Sequence, residues 1–581
     1  YNRQSLDGVV HEGLSERLGS VFEAFGWNLI ILKYGKLQKE AFDEPGGHLL
    51  KKWIDDCPNQ LYSALIYEGG STFKQRILDD IGDQDIVSEL INKRTDSEFL
   101  DLMANLGGHC VQTLIKVFEK VKDDKPTAFI AYTIKGWGTP LAGHKDNHAG
   151  LMTKAQMNSF KLKYGISDGN EWNRFSDEKN NVELDKYIKN LPFQKAKHRK
   201  YQSKKVSVDE NVFIKETKIS TQNAFGKILD QYAKNNTDFS RRILTTSPDV
   251  SVSTNLGPWI NRKGLFSRKD SSDTFKDRKI PSAQKWIFSS QGQHIELGIA
   301  EMNLFLMLGA AGLSHEFFGE RLFPIGTVYD PFISRGLDAM NYACYQDARF
   351  MIVGTPSGIS LAPEGGAHQS IGTPLIGISQ PGLLSFEPAF ADELALIMNY
   401  GFNYLQDEAG GSIYLRLTTR SIDQPMREID NELKNNIIRG GYWLKKPGSN
   451  PEVIIVYQGA VASEAIESTA LLGEKFKDSG VLSITSSDNL FHNWKNQTLS
   501  FKNKTTQSHI EKLLEFIPRD TRIITVVDGH PMTLSWIGSV YGHKTIPLGV
   551  DSFGQTGNIK DLFTEFRIDT SNICNLGFNY S

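Results

Sequence analysis

The sequence predicts an α/β protein of three consecutive, doubly wound domains, divided at 1–207, 208–440 and 441–581. Three observations carry that prediction. A chain of 581 residues has room for about three or four domains. Compact apolar runs bounded by turn residues, such as TAFIAYT at Thr127–Thr133, read as buried strands. Helical patterns alternate with those runs, which implies parallel sheets covered on both faces.

Residues 1–135 alternate amphipathic helices with short strands, and the last strand feeds a loop rich in Gly, Pro and His from Gly136 to Gly150. The polar, Lys-rich stretch Asn170–Ser207 has little periodicity and reads as a surface linker. The second domain begins near Val208. Its pattern predicts a helix over Gln222–Lys234, a strand over Arg242–Thr246 and a helix around Ile295–Leu313. A strand over Phe323–Thr327, a helix over Phe332–Gln346 and a strand over Arg349–Gly354 follow. In the third domain, from about Pro451, VIIVYQG reads as a strand, Val461–Asp478 as a helix, and VLSITS and RIITVVDG as strands.

Composition narrows the function classes. Apolar residues make up 39% and charged residues 23%, as in folded globular proteins. A net charge of −3 offers no basic surface to nucleic acid. No apolar run reaches the ~18 residues of a membrane span, so no membrane partner is expected. Cys57, Cys110, Cys344 and Cys574 show neither metal nor disulfide spacing, and a reducing, cytoplasmic setting is the expectation. The chain opens on Tyr1 with no secretory pattern after it.

Several segments carry chemistry. TIKGWG at 133–138 and GHKDNHAG at 143–150 place Lys135, His144 and His148 among glycines that allow close approach to a ligand. Such a cluster of donors suits a phosphate or a developing carbanion or alkoxide; a plain polar surface loop is the competing reading. Glu301, in IELGIAEMN, opens an almost wholly apolar helix, NLFLMLGAAGL. A first-turn carboxylate usually serves the helix dipole, but this one stands beside enough apolar surface to sit in low dielectric. FPIGTVYDPF contributes Tyr329 and Phe332, whose ordinary fate is core packing. PEGGAHQS contributes His368, with a buried structural histidine as the competitor. Asp249 follows a strand end in TTSPDV, and the chain starts NRQSLDG from Asn2.

In this order and spacing the segments resemble the transketolase-like superfamily of thiamine-diphosphate (ThDP) enzymes, nearest to the homodimeric decarboxylase component of pyruvate dehydrogenase complexes. The resemblance covers nearly the whole chain. It implies that His148 faces the thiazolium ring, with His144 nearby and Lys135 at the strand end. It implies that Glu301 hydrogen-bonds the aminopyrimidine and promotes the tautomer that removes the thiazolium proton. Phe332 would stack on that ring beside Tyr329, His368 would reach the substrate side, and Asp249 would line the cofactor cleft. The opening segment resembles the second half of the ThDP motif. Asn2 would give a side-chain oxygen and Gln4 a backbone oxygen to Mg²⁺, with Leu6 beside the cofactor. The Gly-Asp-Gly half, which carries the metal's aspartate, does not precede it, and Asp528-Gly529-His530 stands in the wrong domain. An upstream piece is therefore expected to be missing. The lysine-to-histidine spacing is also shorter than the pyruvate dehydrogenase pattern.

The implied activity is oxidative decarboxylation of a 2-oxo acid, pyruvate favoured, with acyl transfer to a lipoyl-bearing acyltransferase component and a homodimeric enzyme. Its rivals are transketolase-type ketol transfer between sugar phosphates and a non-catalytic scaffold subunit. Two residues bear on the choice. Glu387, in SFEPA, stands where transketolases carry an arginine, and a carboxylate there disfavours a sugar phosphate. Arg420, in LRLTTRS, matches a transketolase arginine that grips substrate phosphate. Arg420 is read either as a surface residue or as the partner of a distal anionic group on a longer 2-oxo acid.

Overall fold

The computed structural model describes residues 1–81, 85–173, 179–191, 194, 203–210, 212–500 and 507–579. The chain forms two compact units, Tyr1–Leu191 and Pro192–Ser581. Both mix helices with parallel strands, so the α/β class holds.

In the first unit β1 (Asn28–Leu32) pairs in parallel with β2 (Thr127–Ala131), Asn28 opposite Thr127 and Leu32 opposite Ala131. Helices from Lys36–Phe42 to Val111–Phe118 fill the sequence between them. Their apolar faces meet in a core that includes Leu50, Trp53, Tyr62, Phe73, Phe99 and Met103. With two strands among its described residues, this unit is more helical than an even alternation implies. Its first residues run beside β2: the Tyr1 backbone nitrogen donates to the Ala131 carbonyl (2.6 Å) and the Thr133 amide to the Tyr1 carbonyl (2.9 Å). The stretch expected as a linker carries a helix, Asn181–Asn190, with no buried residue. Its positions 174–178, 192–193 and 195–202 lie outside the described residues.

The second unit holds two larger sheets. The first contains β4 (Ile243–Ser247), β5 (Leu265–Phe266), β6 (Phe288–Ser289), β7 (His294–Glu296), β8 (Phe323–Val328), β9 (Met351–Gly354), β10 (Leu383–Phe386) and β11 (Ser412–Arg416). Their spatial order is β10-β11-β9-β8-β4-β7-β5-β6, and neighbours run parallel. A short antiparallel pair, β3 (Lys218–Ile219) with β12 (Ile422–Asp423), lies apart from it. The other sheet contains β13 (Gly441–Lys445), β14 (Val453–Gln458), β15 (Gly480–Ile484), β16 (Arg522–Val527) and β17 (Thr545–Leu548), ordered β13-β15-β14-β16-β17, with only β13 antiparallel. Central strands such as β9 and β14 are buried along their length, as strands covered on both faces must be.

Two expected helices begin elsewhere. The helix anticipated around Ile295 starts at Glu301, because His294–Glu296 pairs as β7 and Gly298, at φ 67°, turns the chain before the helix. A side chain is strained in that left-handed backbone and glycine is not. The helix anticipated from Phe332 is instead a 3₁₀ turn, Asp330–Gly336, followed by an α-helix over Leu337–Tyr345.

Candidate active site

In the larger sheet the chain runs from β4 to β5 on one side and from β8 to β9 on the other. Adjacent strands β4 and β8 therefore lead their connections in opposite directions, the arrangement at which open α/β sheets bind ligands beyond their carboxyl ends. Asp249 follows β4, Glu301 follows β7, Tyr329 to Arg335 follow β8, and His368 lies in the connection after β9. Sheet order thus places residues far apart in sequence along one edge.

There Glu301, at the first position of its helix, has a side chain only 10% exposed. Its Oε1 accepts a hydrogen bond from the Arg335 guanidinium at 2.5 Å. Arg335 also lies 3.8 Å over the Phe332 ring. The 3₁₀ turn explains this, since residues three apart eclipse in that geometry. Phe332 and Tyr329 are near parallel with centroids 6.0 Å apart, and His368 meets the edge of both, at 5.4 Å from Phe332 and 6.3 Å from Tyr329. Glu301, Arg335, Phe332, Tyr329 and His368 therefore form one contiguous group. His368 Nδ1 is buried with no hydrogen-bond partner among the described residues. Arg335 was not anticipated from sequence; its place one 3₁₀ turn after Phe332 was the available signal.

Asp249 is exposed, with a left-handed backbone (φ 64°). Glu296 holds it there: its carboxylate accepts the amides of Asp249 (2.7 Å), Leu297 (3.0 Å) and Gly298 (3.3 Å) and the Ser251 hydroxyl (2.7 Å). Burial alone would raise the Glu296 pKa, but hydrogen bonds from His294, Ser251 and the Asp249 amide outweigh it and leave the carboxyl below its ordinary value.

The first unit assembles a second group. The Lys135 ammonium donates to the Ser5 carbonyl (2.6 Å), and the Gln4 amide donates to the Gly143 carbonyl (2.9 Å). Asn2 Oδ1 accepts from the Gln4 backbone (3.0 Å). The His144 ring meets Tyr67 edge-on at 4.6 Å and accepts the Asp146 amide (3.1 Å). His148 is exposed, and Leu6 is 65% exposed. Gly143 sits where an added Cβ would lie 2.5 Å from the Ser63 carbonyl, which requires glycine. Arg3, between Asn2 and Gln4, is buried with its guanidinium 4.3 Å over Tyr62 and 5.2 Å over Tyr132. Asn2 and Gln4 supply neutral oxygens beside that cation, short of the oxygen set Mg²⁺ takes. Among the described residues no group of three His, Cys, Asp or Glu side chains could hold a metal. The described residues therefore do not by themselves make a Mg²⁺ site.

Both residues used to choose between substrates are engaged internally. Glu387 is buried, accepting from Arg416 (2.5 Å) and Gln458 (2.9 Å), so it faces no substrate phosphate. Arg420 is neither a free surface residue nor an open anion receptor. It pairs two-point with Glu464 (2.6 and 2.5 Å) and lies 4.6 Å over Phe563.

Comparison with known proteins places this geometry. Residues 203–425 match the family model of the pyruvate dehydrogenase E1 component middle domain. The matched stretch contains Asp249, Glu301, Tyr329, Phe332, Arg335 and His368, and residues 440–569 match the model of the transketolase-like C-terminal domain. The pyruvate dehydrogenase E1 component of Escherichia coli K12 is 24% identical over 520 residues, 84% of this chain and 56% of the relative. That of Pseudomonas aeruginosa is 24% identical over 602 residues, 98% of this chain and 66% of the relative. The chain thus spans little more than half of one E1 relative and about two thirds of the other. Among solved structures, transketolase from Campylobacter jejuni superposes with a TM-score of 0.62 at 18% identity, covering 99% of this chain and 71% of that one. Transketolase from Leishmania mexicana gives 0.63 at 16%, covering 99% and 69%. These likenesses show a transketolase-like fold.

Proposed function

We propose that the protein is the decarboxylating component of a 2-oxo acid dehydrogenase, acting with ThDP on pyruvate or a close relative and passing the acyl group to a lipoyl-bearing acyltransferase. The observation that carries this reading is the contiguous Glu301–Arg335–Phe332–His368 group within the E1-type middle domain.

The group suits an aminopyrimidine: a mostly buried carboxylate, two near-parallel aromatic rings, and a histidine whose Nδ1 has no partner among the described residues. ThDP held there would supply a carbanion nucleophile and an electron sink for loss of carbon dioxide. Glu301 would hold or give a proton at its carboxylate. Arg335 orients that carboxylate through Oε1. Phe332 and Tyr329 would grip a flat ring and exclude water. His368 would hold or release a proton on the substrate side through Nδ1. Asp249 would line the cleft.

The family resemblance implies that Lys135, His144 and His148 of the first unit would act as donors to a diphosphate and to developing negative charge, with Asn2 and Leu6 toward the cofactor. Because Asn2 and Gln4 fall short of a Mg²⁺ site, no step is derived through the metal. A homodimer is supported by the exposed apolar residues Met302, Leu306, Tyr342 and Tyr345 on two neighbouring helices. Ketol transfer loses its residue support, since Arg420 is held by Glu464.

The test is a near-ultraviolet circular dichroism titration with ThDP. Weak binding is expected, because the described residues do not by themselves make a Mg²⁺ site, and Glu301→Gln should weaken it further or alter the band shape; a ThDP-induced spectrum identical with and without Glu301 would count against the placement.

A further inference from the structure

Asp330 stands between Tyr329 and Phe332, yet it points away from them into the protein and is fully buried. Its carboxylate accepts from the Arg416 Nε at 2.9 Å, from Thr373 at 2.6 Å, and from Ser370 and Tyr414. Ser370 and Thr373 follow His368 closely in sequence. One carboxylate thus ties the segment carrying the aromatic rings to the loop carrying the histidine.

The tie continues into the C-terminal domain. Arg416, at the end of β11, donates to Asp330 through Nε and to Glu387 through Nη1 (2.5 Å). Glu387 Oε2 accepts from Gln458, the last residue of β14 (2.9 Å). Nearby, Asp528, just past β16, accepts the Ile359 amide (2.9 Å) in the connection that leads to His368. Every member of the set is at most 4% exposed. A guanidinium that bridges two carboxylates in fixed directions cannot be replaced by a point charge. Removing one partner from a buried ionic network leaves the others uncompensated.

We infer that Gln458, Glu387, Arg416 and Asp330 form a positioning relay, through which the C-terminal domain sets the order of the Tyr329–Arg335 segment and of the His368 loop. The site's aromatic and histidine face is therefore a joint product of two domains. Its four members are positioning residues, and the consequence for turnover rests on the function proposed above.

The test is hydrogen exchange with mass spectrometry on the cofactor-free protein, comparing the unaltered chain with Gln458→Leu and Asp330→Asn. Gln458→Leu keeps the size of the side chain and lies in the other domain. It should raise exchange at 329–336 and 366–373 roughly tenfold or more, the effect expected when a hydrogen bond to a charged group is lost. Protection across β15 should stay unchanged, showing that the C-terminal domain remains folded. Asp330→Asn should produce the same pattern and supplies the test if Gln458→Leu does not fold. Exchange that rises only at 385–388 and 453–461 would overturn the relay and leave a local domain contact. The same exchange pattern in a protein that decarboxylates no 2-oxo acid would sustain the relay and reject the proposed function. With activity present, Gln458→Leu should lower kcat more than it changes KM.

Discussion

Glu387→Gln gives the sharpest electrostatic prediction. The Glu387 side chain is enclosed at the domain junction, and burial pushes its carboxyl from the ordinary 4.5 to about 7, against the pull of Arg416. The folded value lies above the unfolded one, so the native state holds this proton more tightly. The resulting stability is fully present below pH 4.5 and is lost as pH rises through about 7. The gap corresponds to about 3 kcal/mol, of which roughly 2 kcal/mol is lost between pH 5.5 and 8. Glutamine keeps the size of the side chain but cannot ionise, and Arg416 retains Asp330 at 2.9 Å. Relative to the unaltered protein, the variant should therefore gain roughly 2 kcal/mol between those two pH values. Urea unfolding followed by tryptophan fluorescence at both pH values measures this. The comparison cancels titrations the two proteins share. A stability difference that is the same at both pH values would refute the reasoning, because Glu387 would then be ionised throughout.

Glu301→Gln should leave the fold intact, by circular dichroism, while turnover falls by about 10²–10⁴, the usual contribution of a proton-transfer group; near-normal turnover at saturating ThDP would contradict the placement. Arg420→Ala should destabilise the protein by about 1–2 kcal/mol through loss of the Glu464 pair, yet keep the ratio of kcat/KM for pyruvate to that for 2-oxoglutarate. A drop confined to 2-oxoglutarate would restore Arg420 as a substrate residue. The Gly138–Gly150 loop should exchange its amides more slowly with a substrate analogue bound, as a gating loop does; equal protection with and without it would count against that role.

Much of the fold was legible because parallel strands buried on both faces read as short apolar runs. β9, β14 and β16 lie within or at the predicted runs. The two-residue strands β5 and β6 left no periodic signal, being defined by pairing with distant segments. Helix starts were missed where one residue redirected the chain: Gly298 before Glu301, and Pro331 within the 3₁₀ turn. Glu301, Phe332, Tyr329 and His368 could be singled out because each sits in a distinctive local segment. Arg335, Glu296 and Asp330 could not, because their roles lie in partners brought close by the sheet. Glu387 misled for the same reason. Its neighbours in sequence suggest a substrate-facing loop, whereas Arg416, from another strand, and Gln458, from another domain, enclose it.

Product analysis tests the central claim most directly. The purified protein is incubated with ThDP, Mg²⁺, an artificial electron acceptor and either pyruvate, 2-oxobutyrate or 2-oxoglutarate, and in parallel with xylulose and ribose phosphates. Carbon dioxide release from a 2-oxo acid with no sugar interconversion is the predicted result. Sedoheptulose phosphate formed without any decarboxylation would contradict it and assign the site to ketol transfer.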